Sequence, residues 1–341
     1  MLLRESFDRA KVRLGPRARE PSITGGELMS DTSTSPSRAG YVLSIGMQKG
    51  GVSKTTNACH LAVALGEAGR RVLLWDVDEN YGATKVFQIP PDAFFTTMSI
   101  LTGDSTAEEA VLTFDDSELD VELPQNVDVI PSSRALQGVD RALSSKDKFY
   151  NPNECLSPAV EELKALGRYD YIIIDTGPQA SPTTRSAYMV SDYFVLSLVP
   201  EKLAVDSLPD ALEDIANARR PGRNPDLHLL GLILSCMDRR VTLAKRYEDA
   251  ITERFRQANQ EPVKFKTTIG RAAAIDRAAH RGQTLLQAEP SHKVSDQYRK
   301  LAREVEQRVL AHRSVLTKAE PGQRAALNPL PAGAQGVTAN A

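Results

Sequence analysis

Two lysines, a glycine pair and three hydroxyls cluster in the stretch Gly46-Met47-Gln48-Lys49-Gly50-Gly51-Val52-Ser53-Lys54-Thr55-Thr56. An apolar run, YVLSIG, leads straight into it, and a helical pattern follows. Strand, glycine-rich turn and helix N-terminus together make a phosphate cradle, because successive backbone N–H groups point inward and the helix dipole favours an anion. Lys54 is placed to reach the β- and γ-phosphates of a nucleotide, the Thr55 hydroxyl to ligate Mg²⁺, and Thr56 to donate to the α-phosphate. The spacing is not the usual G-x-x-x-x-G-K-[ST]: counted back from Lys54, the two glycine positions hold Gln48 and Ser53. It fits K-G-G-x-x-K-T-[ST], with Lys49 ahead of Gly50 and Gly51, and Val52 and Ser53 in the variable positions.

Three aspartates close apolar runs. Asp76 and Asp78 lie two apart at the end of RVLLWDV, so their side chains project to one face. In an α/β sheet that strand end faces the nucleotide crevice. Asp175 ends YIIID and is placed to hold Mg²⁺ through water. A single aspartate after an apolar run is commonly just a strand-end residue; three of them alongside one phosphate loop form a constellation.

The elements that must carry these residues alternate along the chain. YVLSIG, RVLLWDV, VDVIP, YDYIIID, YFVLSLV, LLGLILSCM and VKFKTTI read as strands, several of them apolar throughout, as in strands buried on both faces. TTNACHLAVALGEAGR, SPAVEELKALG, KLAVDSLPDALEDIANARR, VTLAKRYEDAITERFRQ and roughly residues 292–316 read as helices. This alternation predicts an α/β fold with a doubly wound, mostly parallel sheet and right-handed crossovers. Residues 1–40 and 317–341 are rich in Gly, Pro, Ser and Ala and read as disordered tails around one domain, 41–316. Gly25-Gly26-Glu27 before Met29 can be encoded by a purine-rich ribosome-binding sequence, so native translation is expected to start at Met29; peptides from residues 1–28 would exclude that.

Bulk properties narrow the class. Hydrophobic content of 41% and charged content of 25% are ordinary for a soluble domain. No run approaches a bilayer span, and MLLRESFDRAKVRLG lacks the apolar core of a secretory signal. Cys59, Cys155 and Cys236 are scattered without metal-ligand spacing, which fits a reducing cytoplasm. The net charge of −2 hides an acidic stretch over 101–128 and a basic excess over 237–313. Either is a candidate partner surface, although a solvated face is the commoner meaning of a charge run.

The loop, together with VLLWDVDENYGAT, YDYIIIDTGP, SDYFVLSLVPEKLAVDSL and TTIGRAAAIDRAAHRGQTLLQAEPSHKVSDQYRKLAREV, resembles the ParA/MinD group of deviant P-loop ATPases over roughly residues 41–312. The family's usual second-strand pattern is close to V-L-L-x-D-x-D-P-Q-x-N-A-T, and its Mg²⁺-side strand usually ends D-x-P-P. Here Ser53 replaces the more usual glycine, Glu79-Asn80 replaces Pro-Gln, and Gly177-Pro178 replaces Pro-Pro. None of these removes a group the chemistry needs, and Ser53 adds a Cβ beside the phosphates.

The resemblance implies an ATPase that uses ATP and Mg²⁺. Asp78 matches the family's hydrolytic aspartate, and Asp76 would support Mg²⁺ or the loop. Lys49 would cross to the other subunit's phosphates, so that each site is complete only in an ATP-bound homodimer. Met237, Asp238 and Arg271 occupy positions near the adenine. Nonspecific double-stranded DNA would be bound by the ATP dimer through Arg239, Arg240, Lys245, Arg246, Lys264, Lys266, Arg271, Arg277 and Arg281, with steep salt dependence. A ParB-like protein would stimulate hydrolysis, and the protein would be cytoplasmic and nucleoid-associated, serving chromosome or plasmid partition.

Alternatives on the same scaffold are positioning of a protein cargo and a MinD-like membrane-surface ATPase. The second needs an amphipathic C-terminal helix that ALNPLPAGAQGVTANA lacks. An electron-transfer ATPase needs cysteines placed for a bridging iron–sulfur cluster, and a ligase an added substrate motif; neither is present in the sequence.

Overall fold

Strands that are apolar along their whole length need cover on both faces, and the architecture supplies it. In the computed structural model, which describes residues 40–114, 121–144, 150–202, 206–238, 240, 242–256 and 263–318, six strands form the sheet. They are β1 (Tyr41–Gly46), β2 (Val72–Asp76), β3 (Val127–Ile130), β4 (Tyr171–Asp175), β5 (Tyr193–Leu198) and β6 (His228–Leu234). Their order is β3-β2-β4-β1-β5-β6, and every pairing between them is parallel. Leu112 adds an antiparallel bridge to Val129 at the β3 edge. The helices are α1 (Lys54–Glu67), α2 (Gly82–Val86), α3 (Thr97–Thr102), α4 (Val139–Ser144), α5 (Ser157–Ala165), α6 (Pro182–Val190), α7 (Leu208–Ala218), α8 (Thr242–Arg256), α9 (Ala273–Ala279), α10 (Leu285–Ala288) and α11 (Lys293–Lys318).

Alternation along the strands splits the core in two. Leu43, Ile45, Leu74, Ile173 and Val195 pack with α1 and α11 on one face. Val42, Leu73, Trp75, Ile172 and Ile174 pack with α3 to α6 on the other, and Phe194, Leu196 and Leu198 with α7 and α8. The chain steps outward from β1 to β2 and β3, inserts β4 between β2 and β1, then steps the other way to β5 and β6. That reversal puts a crevice at the carboxyl ends of β1, β2 and β4. Register brings the site residues to one level there: Ile45 pairs with Asp175, and Asp175 with Asp76.

One expected strand is absent. VKFKTTI makes a single parallel bridge, Lys264 to Leu232, and Gly270 bridges Met237 further on. The segment still bonds β6 through the backbone, from the Leu232 N–H to the Val263 carbonyl, from the Phe265 N–H to Leu232 and from the Ile269 N–H to Leu234 (2.8–2.9 Å), and side chains of α11 take further polar groups. Glu304 accepts from the backbone N–H groups of Lys266 (2.7 Å) and Thr267 (3.1 Å). Arg308 donates to the carbonyls of Leu230, Val263 and Lys264 (2.9–3.0 Å). The edge of β6 is therefore closed by an irregular segment pinned by α11 rather than by a regular seventh strand.

The helix expected over KLAVDSLPDALEDIANARR is described from Leu208, with residues 203–205 outside the described set. The last helix runs to Lys318, two residues past the expected domain limit. The proposed tails fall almost wholly outside the described residues.

Candidate functional site

The turn after β1 wraps the N-terminus of α1. Gly51 has φ +74°, and Ser53, the N-cap of α1, has φ 66°. A residue with a Cβ in this left-handed region costs about 1–2 kcal/mol, so Ser53 holds a conformation that glycine would adopt freely. Its hydroxyl lies 3.5 Å from the Cys236 thiol, itself at φ 54°. The Lys54 side chain folds back over the turn, and its ammonium donates to the Lys49 carbonyl at 2.7 Å. Burial pulls its pKa down, and the charges of Asp175 and Asp78 pull it back up. Lys49 itself is half-buried, and Gly50 and Gly51 have open space where a Cβ would stand, room for backbone amides to approach an anion.

The aspartates differ in their commitments. Asp76, fully buried, accepts from the Thr84 backbone N–H (2.9 Å) and hydroxyl (2.8 Å) and from the Asp78 N–H (3.1 Å). Desolvation pushes its carboxyl up to about 7 despite those bonds. It braces the loop that follows β2. Asp78, at the mouth of that loop, accepts two bonds at Oδ1 from Asn80, while Ser132 and the Tyr81 N–H hold its carbonyl.

Asp175 has both carboxylate oxygens buried without a hydrogen-bond partner. Burial, then the neighbouring Asp76, push its pKa well up; the Thr55 hydroxyl beside it, short of a full hydrogen bond, partly offsets this. A buried orphan carboxylate facing a threonine hydroxyl is a donor set that suits a hard divalent cation. The residues present therefore fit Mg²⁺.

Two glycines control the approach to this centre. A Cβ on Gly82 would stand 2.9 Å from the Thr55 hydroxyl, and one on Gly177 would stand 3.2 Å from Asp78 Oδ1. Neither role is visible in the sequence, because the contacts span 27 and 99 residues (82 − 55 and 177 − 78). Thr84 carries no such signal either, and Asn80 shows in the sequence only as a departure from the family's Pro-Gln, although both sit within the motif that carries Asp78.

Of the residues expected near the base, Met237 and Arg271 are brought together: the Met237 N–H donates to Ile269 at 2.9 Å, and Arg271 donates back to Met237 at 3.2 Å. Asp238 is engaged by Arg240, whose guanidinium bonds hold its carboxyl down to about 2. The proposed DNA contacts scatter in state. Arg240 is paired to Asp238, Lys264 to Glu248 (3.2 Å) and Arg277 to Glu289 (3.4 Å). Lys245, Arg246, Lys266, Arg271 and Arg281 are exposed, and Arg239 lies outside the described residues. Among the described residues, no helix is long and apolar enough to cross a membrane.

A doubly wound parallel sheet with a phosphate loop at its switch point, ringed by strand-end aspartates, defines an α/β P-loop nucleotide-binding protein. The family described as an AAA domain matches residues 40–229. The chromosome partitioning protein ParA of Caulobacter vibrioides is 31% identical over 266 residues, covering 77% of this chain and 93% of that one. The chromosome-partitioning ATPase Soj of Thermus thermophilus is 31% identical, covering 78% and 96%. Among solved structures, cobyrinic acid a,c-diamide synthase from Mycobacterium smegmatis, with bound ATP analogue and magnesium, superposes with a TM-score of 0.63 at 25% identity, covering 77% and 93%. The chain belongs to the ParA family of partitioning ATPases.

Proposed function

We propose that this chain is a Mg²⁺-dependent ATPase that dimerises on ATP, binds nonspecific DNA in that state, and releases it on hydrolysis, so serving chromosome or plasmid partition. The observation that carries the reading is the convergence of Lys54, Thr55 and the orphaned Asp175 on one phosphate loop.

Backbone amides of Gly50 to Thr56 and the α1 dipole receive the phosphates, and Lys54 balances β/γ charge. Thr55 and Asp175 hold the cation, which when bound neutralises charge on the phosphate oxygens. Asp78, held by Asn80, orients the attacking water and accepts its proton. Asp76 fixes the loop that carries Asp78 rather than touching phosphate. Lys49, supplied by the second copy, adds positive charge where it develops in phosphoryl transfer, which makes hydrolysis depend on assembly. Exposed Lys245, Arg246, Lys266, Arg271 and Arg281 contribute the DNA-facing charge. A ParB-like protein is the stimulating partner, in the cytoplasm at the nucleoid.

The deciding experiment is binding to nonspecific double-stranded DNA with ATP, ADP or no nucleotide across a salt series, for wild type and Asp78→Ala. Salt-sensitive binding only with ATP, prolonged in Asp78→Ala, is the expected result. ATP-dependent dimerisation without DNA binding would move the output to a protein or membrane partner.

A further inference from the structure

Beneath the phosphate loop runs a chain of hydrogen bonds that begins on the C-terminal helix. The Tyr298 hydroxyl on α11 donates to Asn57 Oδ1 at 2.9 Å. The Asn57 amide donates to the Ser197 hydroxyl at 2.8 Å, and its second hydrogen goes to Ser235 at 2.9 Å. Ser197 in turn donates to the Val52 carbonyl of the phosphate loop at 2.6 Å. The Asn57 N–H itself makes the first i→i−4 bond of α1, to the Ser53 carbonyl at 2.9 Å.

Three features set this apart from ordinary core satisfaction. Along Tyr298, Asn57 and Ser197 the donors point towards the loop, so each bond polarises the next, while the Ser235 hydroxyl adds a second, longer bond to Asn57 Oδ1 at 3.2 Å. Tyr298, Asn57 and Ser197 are all fully buried, so water cannot replace a lost partner. The chain ends on the Val52 carbonyl, next to Ser53, the loop residue held in the costly left-handed conformation. The preceding residue on α11, Gln297, accepts from the Gly270 N–H at 2.8 Å, so the same helical turn also holds the Ile269–Arg271 loop.

We propose that Tyr298 is a positioning residue of the phosphate site: acting through Asn57 and Ser197, it sets the Val52 carbonyl and with it the turn whose amides receive the phosphates. The inference rests on the reading of that turn as an ATP site. It makes the C-terminal helix, more than 240 residues distant in sequence from the loop (298 − 52 = 246), part of the nucleotide site.

The test is affinity for a fluorescent ATP analogue with Mg²⁺, with the KM and kcat of hydrolysis, for wild type, Tyr298→Phe, Ser197→Ala and the double variant. Tyr169→Phe is the matched control, since it removes another buried tyrosine hydroxyl, bonded to Asp128 at 2.9 Å on the opposite core. Tyr298→Phe and Ser197→Ala are each expected to weaken nucleotide binding by about fivefold or more. The loss should appear mainly in KM, and the double variant should be no worse than the poorer single, because both cut one chain. Tyr169→Phe should lower thermal stability and leave nucleotide affinity unchanged. If Tyr298→Phe behaves like Tyr169→Phe, or the double variant loses the product of the two single effects, the positioning role is overturned. A wild type that binds no nucleotide would overturn the ATP-site reading itself, and this inference with it.

Discussion

Asp78 is 6% exposed at the crevice mouth, its Oδ1 held by two bonds from Asn80. Asp76, two residues earlier, has both oxygens engaged by Thr84 and the Asp78 N–H. In the proposed reaction this division gives Asp78 the chemistry and Asp76 the support. Asp78→Ala should leave ATP binding intact and slow phosphate release by about 10²-fold or more; parallel measurement of nucleotide affinity and phosphate release checks it. Gly177 stands where the family pattern has proline, and a Cβ there would lie 3.2 Å from Asp78 Oδ1. Gly177→Ala should therefore slow hydrolysis with the fold and nucleotide affinity preserved, read by the same pair of assays. A role for Gly177 confined to the backbone turn would instead show as a fall in thermal stability at unchanged kcat.

Among the elements, α11 does more than cover the sheet. Arg308 donates to three carbonyls along the β6 edge and stacks 4.3 Å from the Phe265 ring centroid. Arg308→Met keeps much of the aliphatic volume but removes the guanidinium donor from these carbonyls, leaving Val263 its bond from the Leu232 N–H, so it should destabilise the fold by about 2–4 kcal/mol, measured by urea unfolding. Where α1 meets α10 and α11, His60 is fully buried, stacks on Tyr298, bonds the Thr56 carbonyl through Nδ1 and accepts the Leu285 N–H at Nε2. Burial lowers its pKa from 6.5 to about 4. The unfolded chain thus takes the proton first, and the contribution of His60, full above pH 6.5, is lost as pH falls through 6.5 towards 4. That loss is of order 3 kcal/mol. Asp76, pushed up to about 7, works with the opposite sign over an overlapping range. The measurable quantity is therefore the stability difference between wild type and His60→Gln, which should shrink as pH is lowered from 7 to 4.

These elements also mark where the sequence was readable. Six strands, the phosphate-loop helix and the three aspartates were legible, because the strands are announced by local apolar runs, and those of β1, β2 and β4 end in the glycine or aspartates of the site. VKFKTTI has the same local signature, yet beside its backbone bonds to β6 the amides of Lys266 and Thr267 and the carbonyl of Lys264 go to Glu304 and Arg308, about 40 residues away, and no regular ladder forms. The short helix α6, begun by Ser181 accepting the Thr184 N–H, lacks a long apolar repeat and was not anticipated. The Asn57–Tyr298 link was invisible because no local spacing connects residues 241 positions apart.

For the whole molecule, the decisive question is which subunit's nucleotide Lys49 serves. Lys54 already occupies the turn from within, its ammonium bonded to the Lys49 carbonyl, and it lies close enough to Asp175 and Asp78 to feel both charges. Lys49 is instead half-buried, and among the described residues its ammonium makes no hydrogen bond or ion pair. If Lys49 acts across a dimer, Lys49→Ala should still bind ATP as a monomer yet fail to assemble or hydrolyse it. Mixing then separates the geometries. In a heterodimer of Lys49→Ala with Asp78→Ala, one site combines the Asp78 of the first chain with the Lys49 of the second and lacks nothing. The other site lacks both groups. A trans-acting lysine therefore predicts that the mixture hydrolyses ATP although neither variant does so alone. A lysine acting on its own subunit's ATP predicts no recovery, since every site in the mixture would then lack one of the two groups. Phosphate release from equimolar mixtures, with light scattering to count dimers, decides between a switch completed by assembly and one complete in each chain.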